Sequence, residues 1–309
     1  MPTDSAPTAY SEPAGTSDAV TAITGRRLAA VYAVLVAAVL FPMFAVEVVP
    51  LADLPNHMAR IHVLAHIDED PALAAHYRVN WAMQPNLAVD LLLRPLAEQF
   101  PALELGRWFA ALTVLTLVGG TLALHRVLHG RLGLWPAAAL LFVYNHALIW
   151  GFLNFLFGVG VALGLLAAWI ATDGRAGWRR IVAFSLACIG LYFVHLMSLG
   201  LYATMVGAWE LGRLAGAEGG RRLLRTWAPA GLQFIPAALL FLATLPQSPG
   251  PSEFEWGTAA MRLRGFWSPV LTNVGPTDAL VGVAIVAILL CGLAFDWFRP
   301  APGARLPLL

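Results

Sequence analysis

The segment PLADLPNHMAR, residues 50–60, puts an acid, an imidazole and a guanidinium within eight positions, directly after an apolar run long enough to cross a membrane. Asp53, His57 and Arg60 stand at i, i+4 and i+7, so a helix here brings all three to one face. A carboxylate in that setting can take a proton from a hydroxyl, and neighbouring cations can stabilise a departing oxyanion. Asn86 and Asp90 repeat the i, i+4 pattern in PNLAVDLLLRPLAEQF. YNHALIWGFLNFLFG adds Asn145, His146 and Asn154, and FVHLMSLG adds His195 and Ser198. Polar and ionisable groups at membrane depth are costly and by default mark a site.

Each residue also has a plainer role. Asp53 could serve only as a helix N-cap. His146 and His195 could cap helix ends or snorkel to the interface. Asn154 and the small residues of LFGVGVALG suit helix packing in a membrane. His62, His66 and His76 suit solvated positions. His57, His62 and His66, at i, i+5 and i+9, do not share a face and make a poor metal set. What favours a site is that four separate segments place polar groups at one depth.

Composition sets the surroundings. The chain has 309 residues, 59% hydrophobic and 12% charged, with a mean hydropathy of +0.71; soluble domains are nearer a quarter charged. A net charge of +1 leaves no basic patch for nucleic acid. Cys188 and Cys291 both sit in apolar runs and suit inert thiols. Residues 1–25 lack periodicity and read as a disordered tail, and Arg26–Arg27 before the first apolar run suggests a signal-anchor that is kept.

Hydropathy predicts an all-α polytopic membrane protein with eight spans, at about 28–48, 107–125, 134–150, 153–171, 180–195, 197–212, 227–246 and 279–297. Arg26, Arg27, Arg126, Arg131, Arg175, Arg179, Arg180, Arg213, Arg221, Arg222, Arg225, Arg299 and Arg305 then fall on one side, thirteen of nineteen arginines. The positive-inside rule makes that side cytoplasmic, along with both termini and the 299–309 tail. Two long loops, 49–106 and 247–278, face outward within one transmembrane domain, 26–298. The first should hold two amphipathic helices lying in the interface, over 53–66 and 85–98, joined through the turn DEDP.

This arrangement resembles the GT-C superfamily of polyprenyl-phosphate-sugar-dependent glycosyltransferases. There, too, a first transmembrane helix leads into an acidic residue in a large outer loop built of interfacial helices. PLADLPNHMAR, NWAMQPNLAVDLLLRPLA and WGFLNFLFG resemble, more narrowly, a group of bacterial multi-pass proteins without an established activity. The superfamily likeness implies a bacterial inner-membrane enzyme that takes its sugar from a polyprenyl-phosphate lipid donor. It makes Asp53, the one position that matches, the catalytic carboxylate. The polar groups that the four segments bring to the same depth, His57, Arg60, Asn86, Asp90, Asn145, His146, Asn154 and His195, are then the candidate substrate contacts. Asp53 departs from the superfamily's frequent pair of acids, because Ala52 and Leu54 flank it. The cofactor stays open, a divalent cation such as Mg or Mn being one option. Two further readings stay open: a non-catalytic membrane partner that binds polyprenyl lipids, and a transporter of lipid-linked substrates.

Overall fold

The computed structural model describes residues 25–173, 177–214, 227–245 and 257–265, with isolated positions between 280 and 291. Among these the chain is helical and contains no strand. In order come α1 (Gly25–Phe44), α2 (Leu54–His66), α3 (Pro71–His76), α4 (Leu87–Ala97), α5 (Ala102–His129), a 3₁₀ helix (Trp135–Phe142), α6 (His146–Ile149), α7 (Leu153–Ala171), α8 (Trp178–Val194) and α9 (Leu196–Leu214). A helix over Trp227–Thr244 and a short one over Ala259–Gly265 follow. Four of them, α1, α5, α7 and Trp227–Thr244, are long and apolar enough to cross a membrane. All of the tail 1–25 but Gly25, most of the loop 247–278, most of the expected span 279–297 and the tail 299–309 lie outside the described residues.

Hydrogen bonds sort the two ends of the bundle. Arg107, early in α5, donates to the carbonyls of Val46 and Glu47 just past α1, so α5 returns antiparallel to α1. Tyr32 donates to Gly133 and Tyr144 donates to Val39, so the next stretch climbs back along α1. It arrives where Ile149 and Trp150 accept from the backbone N–H of Ala52 and Asp53. α7 then runs alongside α5, and Ser198 at the head of α9 donates to the Phe155 carbonyl. One end therefore gathers residues near 44–54, 102–107, 145–155 and 195–198. The other holds 129–133, 169–173, 177–180 and 210–213.

The apolar stretch 134–150 does not form the single helix that hydropathy predicts. Eight residues of 3₁₀ helix start at Trp135–Pro136, and α6 follows after a turn. Asn145 makes that break: its Nδ2 donates to Phe142 O and its Oδ1 accepts from Leu148 N at 3.1 Å, closing one element and capping the next. Because a 3₁₀ helix rises about 2 Å per residue, these eight residues still cover roughly 16 Å along α1.

The tightest packing joins α5 to α7. A Cβ on Gly120 would stand 2.3 Å from Gly160 O, and one on Gly160 would stand 2.5 Å from the Thr116 carbonyl carbon. Without side chains at these points the two backbones touch, the small-residue packing expected of LFGVGVALG. In the first loop, α2 buries Leu54, Met58 and Ile61 at i, i+4 and i+7, and α4 buries Val89, Leu93 and Ala97. DEDP holds more than a turn: Asp70 accepts from Ala72 N at 2.8 Å and caps α3.

Candidate functional site

Asp53 opens α2 a few residues after α1, and its backbone is clamped. Its N–H donates to Trp150 O at 3.0 Å, and Gly151, at φ +83°, sits so close that a Cβ there would lie 2.8 Å from Asp53 N. Glycine is required at this left-handed position and at this approach. The Asp53 side chain forms no capping bond to the N–H groups of α2. It accepts instead from Asn56 Nδ2 at 2.8 Å and faces His57 Nε2 at 3.3 Å. The carboxylate is 39% exposed, open to a reactant yet held on both oxygens.

One turn on, Arg60 pairs with Asp90 of α4. The two Asp–cation pairs, Asp53–His57 and Arg60–Asp90, follow one another along α2. Asp90 is buried, and burial raises its carboxyl above the usual range while the Arg60 charge and hydrogen bond and the His57 charge pull it back. Arg60 stays half exposed, so its guanidinium has donors beyond those turned to Asp90. The loop thus supplies a second acid by tertiary contact, 37 positions from Asp53 in the chain.

The remaining expected residues divide by role. Asn86 adopts φ +67° at the start of α4, a left-handed conformation that Asn tolerates, and its side chain makes no cap bond. Asn145 uses both ends of its carboxamide to connect the 3₁₀ helix to α6. The His146 ring lies 5.6 Å from that of Trp150. Asn154, in the first turn of α7, is buried with its Oδ1 unpartnered. His195 ends α8, its ring edge-on to Phe155 at 5.3 Å and its Nδ1 buried without a partner. All of these lie at the Asp53 end. Comparison with protein families, curated proteins and solved structures finds no match for the chain.

Two other features lie away from Asp53. An open cleft lined by His62, His66, Glu98 and Gln99 lies further along α2, about 13 Å from Asp53 by helix rise. At the opposite end, Glu210 is 1% exposed and accepts from Trp169 Nε1 at 2.8 Å. Arg213 bridges Glu210 and Asp173 at 3.1 and 2.9 Å, and Arg180 lies 3.5 Å from the centre of the Trp169 ring. Glu210 was legible as a charge inside the apolar run of LMSLGLYATMVGAWELGRL, the signal that flags a buried ion pair. Its partners, up to 41 positions away, were not. Among the described residues no three His, Cys, Asp or Glu side chains gather to hold a metal.

Proposed function

We propose that this chain is a GT-C-like glycosyltransferase of the bacterial inner membrane, moving a sugar from a polyprenyl-phosphate donor to an acceptor hydroxyl at the outer face. The observation that carries this reading is the Asp53 carboxylate: it emerges directly after an apolar helix, is oriented by Asn56 and His57, and is not spent on capping its own helix. In the reaction the acceptor oxygen bonds to the anomeric carbon as that carbon's bond to the lipid phosphate breaks. Asp53 accepts the acceptor's proton, and the phosphate leaves with the bonding electron pair. Arg60, fixed on one side by Asp90, offers its exposed donors to that phosphate. In this reading the eight crossings stand, with the 3₁₀ stretch and α6 as the third and with α2 and α4 lying in the outer interface. The Asp53 end faces outward.

The test is to incubate the purified protein with radiolabelled polyprenyl-phosphate sugars and follow transfer. Transfer that Asp53→Asn abolishes supports the reading, and no transfer across the panel removes it. A transporter is the second reading. It draws on the buried Tyr202–Gln233 hydrogen bond of 3.0 Å and on the turn at Gln233–Phe234 that interrupts the Trp227–Thr244 helix. Movement of a labelled lipid between leaflets without chemical change would favour it.

A further inference from the structure

We infer that the seam between the first turn of α7 and the α8–α9 link is a subsite for a neutral, hydroxyl-bearing ring, held by Asn154 and His195. Three observations converge there. Asn154 is 8% exposed and its Oδ1 has no hydrogen-bond partner. His195 Nδ1, beside Phe155, is likewise buried and unpartnered. Gly158, one turn below Asn154 on the same face, is pressed onto the link: a Cβ there would stand 2.5 Å from Ser198 Oγ and 3.2 Å from Val194 Cγ1. The face carrying Asn154 therefore points at the link that carries His195.

Buried polar atoms without partners are rare, because each forgoes the hydrogen bonds it made in water. Two in one seam, at the end that holds the Asp53 pair, fit a place where a ligand supplies the missing bonds. The chemistry selects the ligand. A carboxamide oxygen only accepts, so it repels an oxyanion and attracts a hydroxyl hydrogen. Among the described residues no carboxylate pairs with His195, and its Nδ1 is buried, so a charge on the ring would go uncompensated and the imidazole is suited to a neutral hydroxyl. A neutral imidazole and an amide together match a hydroxyl that donates to one and accepts from the other. Trp150 and Phe152, each 47% exposed at the neighbouring turn, offer apolar faces to a sugar ring.

This assignment rests on the reading that a sugar-bearing substrate visits the Asp53 end, and it divides the labour there: Arg60 takes the phosphate, Asn154 and His195 the sugar. The ring could arrive on the lipid donor or on a soluble acceptor. Binding is measured in nanodiscs free of glycoside detergent. One arm uses undecaprenyl-phosphate glucose, mannose, galactose and ribose against bare undecaprenyl phosphate, and the other uses soluble oligosaccharides. The expected result is a preference of about tenfold or more for sugar-bearing over bare lipid, or saturable binding of a soluble glycan. Asn154→Leu and His195→Phe should each erode it while leaving bare-lipid affinity within about twofold and thermal stability unchanged or raised. No sugar preference in either arm overturns the assignment. So does a preference that both variants keep, or a drop in melting temperature in both, which would mean that these groups are satisfied within the fold. Sugar binding without transfer keeps the subsite and removes the glycosyltransferase reading; transfer with sugar preference unchanged in both variants does the reverse.

Discussion

Asp53 and Asp90 are the same chemical group in opposite settings, and the contrast fits the roles proposed for them. Asp53 is partly exposed, with an amide and an imidazole on its oxygens, whereas Asp90 is buried against a guanidinium. A carboxylate that must meet a hydroxyl needs the first setting, and one that fixes a cation needs the second. Because the Asp53 side chain caps nothing, Asp53→Ala should cost less than the ~1 kcal/mol of a lost cap. Asp53→Asn should fold like the parent yet lose transfer by about 10²–10⁴-fold, measured as initial rate on the same donor. Arg60→Gln should act through Asp90. Burial already raises the Asp90 carboxyl, so the folded chain holds its proton to higher pH than the unfolded chain does. Stability from this group is therefore greatest below about pH 4 and falls as pH rises through the raised folded value. Without Arg60 that value climbs further. The variant should match the parent near pH 4 and be about 1–3 kcal/mol less stable at pH 8, less than for a fully buried pair because Arg60 is half exposed. Melting curves of both proteins across that range check the sign. Asp53, His57 and Arg60 were readable as one face from their spacing. The Arg60–Asp90 pair was not, because it depends on how α4 docks on α2.

Elements were legible where local chemistry decides them. Pro55 and the apolar spacing of Leu54, Met58 and Ile61 predict a helix over 53–66, and α2 runs Leu54–His66. The second loop helix, expected over 85–98, runs Leu87–Ala97, with Pro95 accommodated within it. Legibility failed over 134–150, where hydropathy registers apolar residues without regard to backbone form. The Asn145 carboxamide, through local bonds to Phe142 and Leu148, and the long-range Tyr144–Val39 bond, which depends on how the stretch docks on α1, divide it. The α5–α7 contact shows what periodicity alone leaves out. GVGVALG reads as a small-residue face, but only the structure separates a glycine under contact from one in open space. Gly160→Ala should place a methyl against the Thr116 backbone and cost about 1–3 kcal/mol. Gly164→Ala, with nothing within 4 Å, should be neutral or stabilising, since alanine favours helix. Thermal unfolding in a mild detergent compares the two, and equal melting temperatures would mean that the helices do not approach as described.

The whole molecule carries its membrane setting on its surface. Phe41, Leu115, Leu186 and Leu239 are exposed apolar side chains on the long helices, which in water would form patches that soluble proteins avoid. Exposed Trp81, Trp108 and Trp150 ring the Asp53 end, and Trp135, Trp178 and Trp227 ring the other, as interfacial aromatic belts do. Arg126, Arg131, Arg179, Arg180 and Arg213 cluster at the end away from Asp53. In the proposed reading the positive-inside rule turns Asp53 outward, the side from which a lipid-borne donor in the outer leaflet would reach it. Cysteine labelling tests this orientation in a background with Cys188 and Cys291 replaced. Single cysteines at Asn56, Glu69 and Met197 should react with a membrane-impermeant maleimide in spheroplasts. Cysteines at Arg131 and Trp178 should react only after permeabilisation. Asn56 lies in the first turn of α2 and Glu69 just past its end, so reaction of both from outside also shows that α2 lies in the interface without crossing it. Labelling of Asn56 and Glu69 from opposite faces would make α2 a span. The inverse pattern, with Arg131 and Trp178 open in intact cells, would put Asp53 in the cytoplasm, where soluble activated sugars are available, and the case for a donor carried on an outer-leaflet lipid would lose its geometric basis.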